Sequence, residues 1–174
     1  MHSYRIAAAL GLAGSLALGA VPAQAAPAPT PRDVAFVHAA HQGNLAEIAA
    51  GQVAWKKTTD PVVKNLAATF MRNHIHMDAK LYLTARDLGI RLPNSPTAAQ
   101  QALTERYAAA AAETFDDYYI STQLTAHRHA HKLIKEQLAG GADPAVKDLA
   151  EQAVPIIAEH RKLLREAAAQ TGGE

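Results

Sequence analysis

The chain has 174 residues, no cysteine, and 17 basic residues against 16 acidic ones. Without cysteine it can form neither a disulfide framework nor a thiolate metal site, so any metal would be held by nitrogen and oxygen ligands. The balanced charge gives no electrostatic footprint for nucleic acid or for an anionic membrane.

The first 25 residues are typical of a secretory signal peptide. Arg5 precedes an apolar run from Ile6 to Val21, and Ala23-Gln24-Ala25 offers a small-x-small cleavage site. Cleavage removes one of the 17 basic residues and none of the 16 acidic ones, so 16 of each remain and the net charge is zero. We therefore expect an exported protein, periplasmic or secreted, with no stable membrane span after signal cleavage. An uncleaved anchor is the alternative.

The first half of the remaining chain predicts a pair of helices. Residues 26–32 are a proline-rich linker, and residues 33–174 are long enough to form one domain with its own core. A first helix is predicted from Asp33 to about Lys57. A second is predicted from Pro61 to about Leu88, where Gly89 would end it as a left-handed cap. The short connection between them favours an antiparallel pair.

The second half predicts three more helices. A short, alanine-rich helix is expected from Thr97 to about Ala111 and a longer one from about Thr114 to Ala139, with a bend between Ala108 and Ala112. Gly140-Gly141 ends the longer helix, and Asp143-Pro144 begins the last one with a cap and a proline at the first position. Because the chain has no strand-period segment, the fold class is predicted to be all-α.

Four polar residues interrupt or flank the apolar stripes of these helices. His160 falls in the middle of the stripe of the last helix, His74 and His127 lie on or beside their own stripes, and Glu47 flanks a fourth. Counting from the turns places Glu47 and His74 at nearly the same height. His127 and His160 differ by about one helical turn, roughly 6 Å, and Gln123 lies closer to the height of His160. We therefore predict that these side chains converge in the core.

Such a cluster is typical of a metal site. Neutral imidazole and carboxylate suit Zn, Fe, Mn or Cu, and His74, His127, His160 and Glu47 together would complete a tetrahedral shell. The alternative is that each histidine is a buried residue satisfied by an ordinary hydrogen-bonding neighbour. Glu47 would then be a boundary carboxylate, paired with a lysine or solvated.

Three stretches of the chain carry a family resemblance. They read FVHAAHQGNLAEIAAGQVAWKKTTDPVVKNLAATFMRNHIHMDAKL, then LGIRLP, then FDDYYISTQLTAHRHAHKLIKEQLAGGADPAVKDLAEQAVPIIAEHRKLL. Together they resemble the domain of unknown function 4142 over essentially all of Asp33 to Leu164. That family is similar to the ferritin-like superfamily. The resemblance implies a ferritin-like antiparallel four-helix bundle with an additional short crossover helix, the crossover being Gly89 to Ala112.

The resemblance does not extend to a two-metal site. Ferritin-like di-iron proteins use a Glu on two helices and Glu-x-x-His on the other two. Here Met71, Leu124 and Ile157 stand three residues before the three histidines, so the bridging carboxylates are missing. A mononuclear site or a metal-free descendant of the fold is therefore favoured over a two-metal oxidase.

Three hypotheses of function follow from the sequence. The first is an exported helical bundle that binds one transition-metal ion or a small ligand in its core, serving metal handling or envelope stress. The second is a non-catalytic structural or interaction protein of the cell envelope with no metal. The third is an enzyme, most simply a metal-dependent oxidoreductase, which would need an open coordination position. The chain carries no catalytic motif, such as a phosphate loop, a nucleophile elbow or His-Glu-x-x-His, that would favour the third.

Overall fold

The computed structural model describes residues 28–171, which form five α-helices joined by short connections, with no β-strand among them. The helices are α1 (Pro31–Lys57), α2 (Pro61–Asp87), α3 (Ala98–Ala109), α4 (Ala112–Gly140) and α5 (Pro144–Thr171). Within this range no helix combines the length and the apolar character that crossing a membrane requires. The predicted signal peptide lies outside the described residues, so it stays a prediction, as do the domain bounds drawn from it.

The start of α1 differs from the sequence prediction. The helix begins at Pro31, two residues before the expected start at Asp33. Thr30 is the N-cap, and its hydroxyl accepts from the Asp33 amide at 3.3 Å, while the Asp33 carboxylate accepts from the Thr30 amide at 2.9 Å. Asp33 is therefore the third helical residue of a capping box rather than the cap itself.

The other helix ends follow the predicted signals. Asp60 caps α2 through its side chain, and Gly89 ends it with a φ of 68°. The Gly89 amide donates to the Arg86 carbonyl and the Ile90 amide to the Ala85 carbonyl, the two bonds of a Schellman motif.

The predicted bend after the short helix is also confirmed. Ala110 and Ala111 are both extended, with ψ values of 145° and 149°, so α3 and α4 are separate helices. Asp143 caps the start of α5 by accepting from the amides of Ala145 and Val146.

The four long helices pack in pairs. α1 packs against α2 and α4 against α5, and the pairs join through contacts of α2 with α5 and of α1 with α4. The short α3 packs mainly on α1. The core consists of two hydrophobic clusters, one containing Phe70, Tyr119 and Leu164 and the other containing Leu81 and Ile157.

Along the helices, a polar layer separates these two clusters. His74 lies between Phe70 and Leu81 on α2, and His160 lies between Ile157 and Leu164 on α5. His127 on α4 and Glu47 on α1 occupy the corresponding positions on their helices. All four side chains are buried. The bundle thus brings polar groups from four helices to the middle of its apolar core.

The buried face of α1 differs from the predicted stripe. Helical spacing from Val37 through Asn44 predicts that Trp55 lies on that stripe, but Trp55 is 48% exposed and its ring packs under the Lys64 ammonium. Glu47 and Ala54 are buried instead, while Asn44, which the predicted stripe does include, is buried as expected. The buried face is rotated relative to the prediction because small residues, rather than the largest apolar one, allow α2 and α4 to approach.

Two glycines of α1 give a test of this packing. A methyl group at Gly43 would meet nothing within 4 Å, whereas at Gly51 it would lie 3.1 Å from the Ala67 carbonyl oxygen and 3.2 Å from the Met71 Cβ. We expect Gly43→Ala to stabilise the protein by about 0.5–1 kcal/mol, because alanine is the better helix former. Gly51→Ala should destabilise it by about 1–3 kcal/mol, because α2 must move. Urea denaturation of both variants measures the difference, and equal effects would contradict the close α1–α2 contact.

Candidate metal centre

Three histidines from three helices meet in the polar layer. His74 comes from α2, His127 from α4 and His160 from α5, and all three are buried. Their ring centroids are 5.2–5.8 Å apart. One nitrogen from each ring lies within 4.8 Å of the nitrogens of the other two. The sequence predicted that His127 and His160 differ in height by about one helical turn. Their rings nevertheless meet, since His127 Nε2 lies 3.1 Å from His160 Nδ1.

The hydrogen bond of His74 fixes which of its nitrogens is free. Nδ1 lies 2.9 Å from the Asn44 Oδ1, which can only accept, so Nδ1 carries the proton and donates. Nε2 therefore holds a lone pair, and it is buried without a hydrogen-bond partner. Leaving a buried acceptor unpaired costs about 1–3 kcal/mol, so this atom is poised for a ligand that accepts a lone pair.

Asn44 is itself held by a carboxylate. Its Nδ2 donates to the Asp78 Oδ1 at 3.3 Å, and His41 Nδ1 contacts the same oxygen at 2.7 Å. His41 Nε2 faces the Pro93 carbonyl at 3.0 Å. This series of hydrogen bonds, from Asp78 through Asn44, orients the His74 ring in the way that outer carboxylates orient histidine ligands of metals.

His127 and His160 form a second hydrogen-bonded chain. His127 Nδ1 donates to the Gln123 carbonyl at 3.0 Å, which leaves its Nε2 as an acceptor. That Nε2 lies 3.1 Å from His160 Nδ1, and His160 Nε2 lies 2.9 Å from Asn73 Nδ2. Asn73 therefore donates to His160, and His160 donates to His127.

The surroundings keep the three rings neutral. Phe70 lies against two of them, with centroids 4.9 Å from His127 and 4.3 Å from His160. Burial lowers the pKa of His127 to about 4 and that of His160 to about 3. The pKa of His74 falls well below its ordinary value, through burial first and then through the other two histidines. Neutral imidazole is the protonation state that binds metals.

The geometry of the three nitrogens fits one ion. Ligands at 2.0–2.2 Å in a tetrahedral shell are roughly 3.4 Å apart, and two ligands on opposite sides are at most about 4.4 Å apart. The 3.1 Å separation of His127 Nε2 and His160 Nδ1 is close to the first distance. The 4.8 Å bound on the whole group is a little wider than the second distance. His127 Nε2 and His160 Nδ1 could both offer a lone pair to an ion only in the tautomer of His160 that carries its proton on Nε2.

Glu47 occupies a different part of the polar layer. It is buried, but it is not a member of the group of three whose ligand atoms lie within 4.8 Å. Burial raises the pKa of Glu47 to about 8, and a hydrogen bond from the Gln123 side chain acts in the opposite direction. Its Oε2 has no hydrogen-bond partner. The structure thus brings together three of the four predicted ligands and places the fourth in their neighbourhood.

A cleft connects these groups. It lies between α1 and α4, is partly covered by α3, and has a volume of about 1070 Å³. Glu47, Gln123, His74 and His127 all line it. We call it the α1–α4 cleft. The deep end of the cleft is therefore the polar layer, while most of its wall is apolar.

Sequence reasoning found the histidines but missed their supports. His76 and His129, which helical spacing places away from the apolar stripes, are exposed. Asn73 was not singled out, although it holds His160, and neither was the packing of Phe70 on the rings. An asparagine one residue away from a core histidine is a weak signal, because its position relative to α5 depends on how α2 and α5 pack.

Comparisons with known proteins agree with this architecture. A crystal structure of a fragment of domain of unknown function 305 from Deinococcus radiodurans is similar, with a TM-score of 0.73 and 16% sequence identity. The alignment covers 83% of this chain and 99% of that chain. At that identity the likeness shows the fold alone. No curated protein matches the sequence significantly.

The family assignment comes from a family model. The model of the domain of unknown function 4142 matches residues 18–167, which includes all but the last few residues of the helical bundle. This agrees with the resemblance carried by the histidine-containing stretches. The chain belongs to the domain of unknown function 4142 family.

Proposed function

We propose that this protein is an exported helical bundle that binds one transition-metal ion in its core through His74, His127 and His160. The observation that supports this proposal is the convergence of three neutral imidazoles, with nitrogens within 4.8 Å of one another. The unpartnered Nε2 of His74 adds to it, because that buried lone pair has no other role in the described residues. The ligand set suits Zn, Fe, Mn or Cu.

We propose a ferritin-like antiparallel four-helix bundle as the scaffold, with α3 in the crossover. The cyclic packing of α1, α2, α5 and α4 supports this arrangement. The three-residue turns between α1 and α2 and between α4 and α5 also support it, because short turns join antiparallel neighbours.

The site holds one ion rather than two. The residues one turn before the histidines, Met71, Leu124 and Ile157, offer no carboxylate to bridge a second metal. Coordination by Glu47 would require its carboxylate to move toward the histidines, so we assign only the three histidines as ligands. Two of these histidines, His74 and His127, line the α1–α4 cleft, so water or a small molecule could reach a bound ion from that side.

A protein of this kind would serve metal handling or the response to envelope stress. The main alternative is a structural or interaction protein in which the histidines only fix the packing. The chain from Asn73 through His160 to His127 favours that alternative, because it satisfies those rings without a metal. An oxidoreductase activity would further require turnover of peroxide or oxygen by the metal-bound protein.

Metal titration decides between these functions. The chelator-treated protein is titrated separately with Zn²⁺, Fe²⁺, Mn²⁺ and Cu²⁺, and bound metal is measured by calorimetry and elemental analysis. We expect one ion per chain for at least one metal. The double variant His74→Ala with His160→Ala should lose at least about 100-fold in affinity, because even outer-shell changes cost 10–100-fold.

Two exposed histidines provide matched controls. His76 and His129 stand two residues after His74 and His127 and are exposed, His129 on the wall of the α1–α4 cleft. Neither belongs to the group of three, so their alanine variants should keep wild-type affinity. Glu47→Gln tests whether the carboxylate is a ligand, and we expect it to leave metal affinity within a few-fold. The proposal fails if the folded protein takes up no stoichiometric ion, or if the double variant binds as tightly as the wild type.

A further inference from the structure

Beyond the metal proposal, we propose that the α1–α4 cleft binds a small organic cation, an ammonium group on a slender apolar body, with the ammonium at Glu47 and Gln123. The inference does not depend on a metal. It rests on the shape of the cleft, on two buried acceptors that line it, and on the distribution of charge around them.

The shape of the cleft suits a small molecule. Its volume of about 1070 Å³ is slightly above the usual range for ligand sites, about 300–1,000 Å³. The α1 wall is made of small residues, including Ala39, Gly43 and Ala46, so the groove stays open between α1 and α4. The space beside Gly43 is empty to at least 4 Å from an added methyl group. Leu103 and Leu133 extend the apolar wall on the other helices.

The floor of the cleft presents acceptors. Glu47 and Gln123 are both more than nine-tenths buried, and both line the cleft. Glu47 Oε2 and Gln123 Oε1 have no hydrogen-bond partner. Buried polar atoms are normally paired, and each unpaired one costs about 1–3 kcal/mol. A ligand that donates hydrogen bonds would satisfy both.

The charge around Glu47 selects a cationic donor. None of the ion pairs formed by residues 28–171 includes Glu47. The basic side chain that lines the cleft, Lys132, is exposed and pairs with Glu136 at 2.9 Å. A buried carboxylate without a cationic partner is unstable, and burial accordingly raises the pKa of Glu47 to about 8. An ammonium group would supply the missing charge, and the apolar wall would favour an alkyl ammonium over an inorganic cation.

Hexylammonium is a suitable probe. The chelator-treated protein is titrated at pH 8.5 with hexylamine hydrochloride and with 1-hexanol, which has the same chain but no charge, and binding is followed by calorimetry. We expect one saturable hexylammonium site per chain and at least 10-fold weaker binding of hexanol. Glu47→Gln should weaken hexylammonium binding at least 10-fold. Gly43→Leu, which fills the groove, should abolish it.

A second carboxylate in the same cleft is the control. Glu136 lines the outer part of the cleft and is exposed, so Glu136→Gln should leave binding unchanged. Circular dichroism checks that every variant is folded. The proposal is overturned if hexanol binds as well as hexylammonium, if Glu47→Gln binds normally, if millimolar Ca²⁺ displaces the probe, or if no saturable site exists. Because no metal is present, these outcomes are independent of the metal titration.

Discussion

Lowering the pH from 7 to 5 should destabilise the metal-free protein by about 2–4 kcal/mol. Below about pH 6.5 the unfolded chain takes up protons on the three core histidines, while the folded protein does not, because burial lowers the pKa of His127 to about 4 and of His160 to about 3. The unfolded state then binds more protons, so stability falls as the pH falls. His74 acts in the same direction.

The carboxyl group of Glu47 has the opposite effect on the pH dependence of stability, and it determines the pH at which the protein is most stable. Its folded pKa of about 8 is above the ordinary 4.5, so between those values the folded state binds more protons and its stability falls as the pH rises. We therefore expect maximum stability near pH 6.5. Glu47→Gln should be more stable than the wild type at pH 8.5, by about 2–4 kcal/mol, and should lose stability more steeply in acid.

Urea denaturation at pH 5, 6.5 and 8.5 with chelator present measures both effects. His129→Ala is the control, because removing an exposed histidine should leave the pH profile of the wild type. Stability at pH 5 equal to or above that at pH 6.5 would contradict neutral, buried histidines. An unchanged profile in Glu47→Gln would contradict the buried, protonated Glu47.

Asp33→Ala should destabilise the protein by about 3–5 kcal/mol, the range found when one partner of a buried charged network is removed. The Asp33 carboxylate is fully buried. It accepts from the Thr30 amide and hydroxyl, from Gln137 Nε2 at 2.6 Å, and from the amides of Ala142 and Asp143. These bonds tie the first turn of α1 to the turn between α4 and α5, so the loss affects two connections at once.

The pKa of the Asp33 carboxylate indicates the pH range in which its hydrogen bonds stabilise the protein. Burial acts to raise the pKa of Asp33, but the bonds from Thr30, Gln137 and Ala142 outweigh it and hold the pKa below its usual range. The stabilisation is therefore present above about pH 4 and is lost only in strong acid. Thermal denaturation at pH 7 compares Asp33→Ala with Asp87→Ala, whose carboxylate pairs with Arg86 on the surface. The surface change should cost less than about 1 kcal/mol, and equal effects would contradict the network.

Helix signals in the sequence predicted most of the fold. Proline after a capping aspartate predicted the starts of α2 and α5, and Gly89 predicted the end of α2, because these signals act within a few residues. The start of α1 was misplaced by two residues, since Thr30 and Asp33 are both good caps and only the full capping box selects Thr30. Local chemistry can locate a helix end but cannot always choose between neighbouring caps.

Amino-acid sequence alone determined that three imidazoles would face the interior, because a histidine within the apolar stripe of a helix is buried together with that stripe. Tertiary structure decided which polar groups share a space. His127 and His160 meet at 3.1 Å despite their different expected levels, and Glu47 is buried on α1 without joining the group of three. Contacts between helices depend on packing distances and rotations that no single helix encodes.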